Sequence, residues 1–168
     1  MEEAVRSASL LLGDQQILIA KGRDPKSEES FKGKERDLIF KTLPSMVVLV
    51  DQGTARAAEI MAGALRDQAR VTLLGTKTLG LCGLTKAFPL EDGSALVMTV
   101  AQCYAPKGDK IQGKGLEPAV AGATPKDEKA EKKPPVKVLT PEQDPWVQQA
   151  VDLLTSGKAP AAVKEKAS

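Results

Sequence analysis

SMVVLVDQGTARAAEIMAGALRDQARVTLL, residues 45–74, holds the decision about the fold. Ser45 to Val50 is a continuous apolar run closed by Asp51 and Gly53, the pattern of a strand buried on both faces. From Thr54 to Arg70, Ala57, Ile60, Met61, Ala64 and Leu65 recur at intervals of three and four, with Arg56, Glu59, Arg66 and Asp67 between them. That spacing predicts an amphipathic helix. Val71 to Leu74 supplies a second strand. Strand, helix and strand in so short a span predict a right-handed βαβ crossover with the two strands parallel.

Outward from this unit, Ala4, Val5, Ala8, Leu11 and Leu12 mark an amphipathic helix from Met1 to Leu12, stopped by Gly13. Gln16 to Ala20 is a short strand run, and the charged, Pro- and Gly-containing stretch from Gly22 to Arg36 reads as loop or hairpin. On the other side, Thr85–Leu90 and Ser94–Cys103 are strands joined by the turn Glu91-Asp92-Gly93. The expectation is an α/β domain with a βαβ unit and an antiparallel extension over residues 1–123. Residues 124–139, rich in charge, Pro and Lys, read as a linker. Residues 140–157 read as a docking helix started by Thr140-Pro141 or Asp144-Pro145 and ended by Gly157, its face formed by Trp146, Val147, Ala150, Val151 and Leu154. Residues 158–168 read as a disordered tail.

Composition narrows the chemistry. With 24 basic and 22 acidic residues the net charge is +2, which provides no broad basic face for nucleic acid. Aromatic residues make up 3% of the chain, so the core should be aliphatic. No histidine is present, which excludes Ser-His-Asp and Cys-His machinery. No cofactor or metal is expected: Cys82 and Cys103 have no further Cys or His at ligand spacing. The two cysteines read first as buried thiols, with a disulfide as the alternative. No run of about 18 apolar residues suggests a membrane span, and Glu2 and Glu3 stand where a signal peptide would be basic.

Four stretches carry a resemblance: 46–68, GTKTLG (75–80), FPLEDGSALVMTVAQCYAPKGDKIQGKGLEPAV (88–120) and DPWVQQAVDLL (144–154). Together they resemble the C-terminal processing, or tail-specific, serine peptidases, most specifically through Tyr104, Pro106, Gly108 and the Gln112–Pro118 loop. The resemblance implies a crotonase-like peptidase core and a Ser-Lys dyad. The serine at the start of the helix attacks a peptide carbonyl, and a neutral lysine takes its proton. This chain has Arg56 at the nucleophile position, Leu81 at the general-base position and Thr85 at the position of a glutamine that supports the lysine. Neither a guanidinium nor an aliphatic side chain can do that work. The resemblance also implies a strand and an Asn-Pro-Gly-Gly turn ahead of Met1, PDZ or other N-terminal segments outside this chain, unfolded or C-terminal peptide segments as partners, and a bacterial periplasm or cell envelope as the setting.

The expected function is therefore that of a degenerate, inactive homologue acting as a protein-binding or regulatory module. The alternatives are an active endopeptidase of the family and a non-functional fragment of a larger one. Residues that could rescue activity are Thr54, Lys77, Lys86 and Cys82, although a displacement of about 1 Å already defeats attack geometry. Glu59, shared with the family, is explained as an acid in the first turn of a helix. Arg56 reads either as a solvated residue beside an empty cleft or as a ligand for a carboxylate. The Gly-Lys-Gly turn at 113–115 lacks the strand and helix of a phosphate loop.

Overall fold

The computed structural model describes residues 1–39, 45–69, 71–122 and 140–156. The βαβ unit forms as its periodicities require: strand β3 (Val47–Val50) pairs in parallel with β4 (Thr72–Gly75), and helix α2 (Ala57–Gln68) connects them. The expectation that the first strand is buried on both faces is corrected. In the sheet order β3-β4-β7, where β7 is Val120–Ala121, β3 is an edge, with Val50 buried but Leu49 39% exposed. Val48 and Val50 pack on the core, whereas Leu49 on the alternate face is left open. β4 is central instead and is buried along its whole length.

Helix α1 (Glu2–Leu12) packs on α2 and ends at Gly13, whose φ of 64° is the left-handed geometry that the sequence anticipates. Strand β1 (Gln16–Gly22) then begins a second sheet, ordered β2-β1-β6-β5. The charged stretch after Gly22 resolves as a hairpin, because β2 (Glu28–Lys32) pairs antiparallel with β1. Strands β5 (Gly83–Pro89) and β6 (Ala95–Tyr104) form the second hairpin, turned by Glu91-Asp92-Gly93 with Gly93 at φ 84°. The core between the layers is aliphatic, with Ile17, Leu18, Leu65, Leu73, Ile111 and Leu116 fully enclosed. Truncating any one of them to Ala costs about 2–5 kcal/mol.

Two corrections concern smaller features. Cys82 and Cys103 are not thiols: they form a disulfide across the base of the β5–β6 hairpin, where the Cys103 N–H also donates to the Cys82 carbonyl at 3.1 Å. Helix α3 (Pro145–Thr155) is capped by Asp144, whose carboxylate accepts from the Trp146 N–H at 2.8 Å, so Asp144-Pro145 and not Thr140-Pro141 starts it. It docks through Trp146, which lies so close to Gly75 and Gly122 that a Cβ at either position would collide with the indole. The predicted linker at 124–139, the helix end at Gly157 and the tail at 158–168 lie outside the described residues. Among the described residues no helix is long and apolar enough to cross a membrane.

Candidate functional site

The carboxyl ends of the parallel strands β3 and β4 converge on one site, as is usual for ligand positions in open α/β sheets. After Val50 the chain turns sharply, because the Asp51 carboxylate accepts from the Gly53 and Thr54 N–H groups at 2.9 Å and from the Thr54 hydroxyl at 3.0 Å. The Thr54 hydroxyl oxygen in turn accepts from the Asp51 N–H at 3.1 Å. Thr54 is thus engaged within its own turn.

Arg56 follows at φ 54° and ψ −117°, and it has the sole positive φ outside glycine among the described residues. Such a conformation costs about 1–3 kcal/mol and persists only where the surroundings over-determine it. Here they do. Its N–H donates to the Leu81 carbonyl at 3.0 Å and to Glu59 Oε2 at 3.2 Å, and its carbonyl accepts the Ile60 N–H at 3.1 Å. A strained strand-to-helix turn of this kind projects its side chain out of the sheet, which is how hydrolases present a nucleophile. The side chain presented here is an exposed guanidinium, with no carboxylate in ion-pair reach among the described residues.

Glu59 organises the rest, a role its position in the first helical turn did not reveal. Its carboxylate is completely buried. Oε1 accepts from the Thr78 hydroxyl at 2.5 Å and the Gly80 N–H at 2.6 Å, while Oε2 accepts from the Leu81 N–H at 2.9 Å as well as from Arg56. Thr78 Oγ1 also accepts from the Leu116 N–H at 2.8 Å. Four charge-assisted bonds compensate the desolvation of one carboxylate and fasten residues 78–81 to the start of α2, and Thr78 extends the network to Leu116. The Gly-Lys-Gly turn is the seat beneath them. Gly113 N–H donates to the Gly80 carbonyl at 2.7 Å, a Cβ at Gly80 would stand 2.7 Å from the Gly115 nitrogen, and one at Gly115 would strike the Thr78 carbonyl oxygen.

The frame therefore brings Arg56 and Leu81 into direct backbone contact, with the Leu81 side chain 41% exposed. Thr85 lies further along β5, opposite Thr99 and exposed, and no hydrogen bond joins it to either residue. The candidate amines are occupied elsewhere: Lys77 pairs with Glu117 at 2.7 Å, and Lys86 Nζ lies 5.6 Å from the Phe88 ring centroid. Cys82 holds no thiol. Among the described residues no three metal-ligating side chains converge. A groove of about 430 Å³ lies apart from these residues, between α1 and the 31–37 segment.

Comparison with known proteins agrees with this geometry. Residues 1–121 match the model of "Peptidase family S41". The chain is 41% identical over 114 residues to a carboxyl-terminal-processing protease of Synechocystis sp., covering 68% of this chain and 25% of the relative. It is 36% identical over 126 residues to the carboxy-terminal processing protease CtpA of Bacillus subtilis, covering 74% and 26%. The solved structure of the photosystem II D1 C-terminal processing protease superposes with a TM-score of 0.64 at 30% identity, covering 71% of this chain and 30% of that one. The chain thus spans a quarter to a third of the proteins it matches.

Proposed function

The chain belongs to peptidase family S41, and on that premise we propose that it is a degenerate member, one that holds a polypeptide segment without cleaving it. The single observation that carries this reading is the contact between Arg56 and Leu81. Acyl transfer by a dyad needs an oxygen lone pair for the carbonyl carbon and a basic nitrogen for the departing proton. Arg56 has five N–H donors and no lone pair to offer, and Leu81 accepts no proton. The positions meet as a dyad would, without the atoms that react.

What Arg56 can do is bind. Its exposed guanidinium, at the carboxyl ends of parallel strands, suits a carboxylate held by two parallel N–H···O bonds. The relatives are named for processing carboxyl termini, which supports the C-terminal segment of an unfolded protein as the partner class. PDZ or similar modules would lie in parts of those longer proteins that this chain does not span. Within the chain we assign residues 1–123 to the peptidase-like domain, with 124–139 as the linker, read from composition, that leads to α3 (Pro145–Thr155).

A second reading, that the chain cleaves, draws support from the backbone at Arg56, which keeps the turn of a nucleophile. An assay separates the two. An unfolded protein with an apolar C-terminus is incubated with the purified chain and with the variant Arg56→Ser, Leu81→Lys, Thr85→Gln, both shown to be folded by circular dichroism. We expect no cleavage by the unmodified chain; turnover that survives repurification would overturn the proposal. Activity in the rebuilt variant would identify a sound frame lacking only its reactive groups.

A further inference from the structure

The parallel sheet is covered differently on its two sides. Leu73 faces α2 inside the core, so the next residue of β4, the completely buried Leu74, points to the other side. Leu49 and Val120, which pair with Leu74 from the flanking strands, share that side with it. Helix α3 packs there against β3 and β4 and leaves Leu49 open. Its hold is slight. No residue of α3 is fully buried, Val151 and Leu154 are exposed, and the Gln149 amide reaches the Ala121 carbonyl at 3.1 Å. The large side chain that seats the helix is Trp146, whose ring fills a notch left by two glycines. Its atoms stand 2.9 Å from where a Cβ would lie at Gly75 and 2.6 Å from one at Gly122.

An 11-residue helix has little stability of its own in water, where segments shorter than about 12–15 residues are marginal. Helix α3 therefore keeps its form only while its inner side is docked, which makes docking and folding of residues 145–155 one event. We propose that α3 is a releasable strap, which opens as a unit while the rest of the domain stays folded. The notch lies at the root of the candidate site. Gly75 ends β4 and its carbonyl accepts the Gly122 N–H at 2.8 Å, while the Thr76 N–H donates to the Val50 carbonyl at 2.9 Å, one residue before the Asp51 turn. Release of the strap uncovers Leu74 and slackens the point from which residues 76–81 carry Leu81 to Arg56. This device is independent of whether the site cleaves or only binds.

Trp146 is the one tryptophan of the chain, so its emission reports the strap directly. In a urea titration of the full chain, the emission should shift to that of a solvated indole in a first transition, and most of the far-ultraviolet circular dichroism should be lost in a second. Coincident transitions would make α3 part of a single cooperative unit and overturn the proposal. Gln148→Pro, on the exposed side of α3, removes the N–H bond to the Asp144 carbonyl. The variant should show solvated emission without urea and an unchanged second midpoint. Its amide exchange at Thr76 and Gly122 should be about tenfold faster, with that of Ile111 in the core unaltered. Buried emission in this variant, a lowered second midpoint, or unaltered exchange at Thr76 and Gly122 would each overturn it.

Discussion

The 78–81 segment that Glu59 holds and the β5–β6 hairpin that starts at Gly83 are near neighbours along the chain, yet they are held in opposite ways. Around Glu59 both carboxylate oxygens are satisfied and the backbone can approach no closer, as the glycines at 80 and 115 require. Along the strands beyond Thr85 large apolar side chains, Phe88, Leu96, Val97 and Met98, are exposed, and the cross-strand ladder with the Asp92–Ser94 turn bonds fixes the hairpin. Rigidity in this molecule thus follows the satisfaction of buried polar groups. The hairpin's apolar side chains gain their hydrophobic energy only when something outside the chain covers them.

Glu59→Ala should have the largest effect. It leaves buried donors without an acceptor and should lower unfolding free energy by about 4 kcal/mol in urea titrations. Val97→Ala on the hairpin, at a residue 63% exposed, should stay within about 0.5 kcal/mol. Equal losses would erase the contrast. Next is the disulfide between the two regions. Replacing Cys82 and Cys103 by Ser opens a loop spanning 21 positions, and loop-closure entropy predicts a loss of about 3 kcal/mol. Arg56→Gly should act in the other direction, raising stability by about 0.5–1 kcal/mol once relief of strain is set against the added freedom of the unfolded chain. A fall in the urea midpoint would show that the turn stores no strain.

The smallest effect belongs to the hairpin tip. The Ser94 hydroxyl, with its backbone N–H, holds the Asp92 carboxyl below the usual carboxylate range. A depressed folded-state value stabilises above the unfolded pKa, and that contribution fades as pH falls through the folded one. Asp92 is fully solvated, so Asp92→Asn should flatten only slightly the acid limb of the stability curve. A carboxyl NMR titration of Asp92 with an ordinary midpoint would remove the basis for that expectation.

Local periodicity made much of the fold legible. The alternation of threes and fours in α2, the glycine after α1 and the acidic-Gly turn each specify structure through near neighbours. The pairing of Arg56 with Leu81 was legible only through the family resemblance of the motifs that hold them. Three features were not, and all depend on distant partners. An acid in a first helical turn looks the same whether it faces water or gathers donors from residues 78–81, as Glu59 does. VVLV reads as doubly buried until the packed layers enclose only the face of Val48 and Val50 and leave Leu49 open. Cys82 and Cys103 carry no pairing signal until the β5–β6 ladder brings their Cα atoms to 5.5 Å.

That disulfide also sets how the chain would respond to being pulled from its two ends. Tension entering along the backbone reaches Cys82 and crosses directly to Cys103, so the hairpin between them bears no load. The shielded segment, with 21 positions of sequence separation, removes about 70 Å from the fully extended length, and reductant would release that length as a single added step in a stretching trace. The apolar face of Phe88, Leu96 and Met98 would keep its shape while the strands on either side were drawn out.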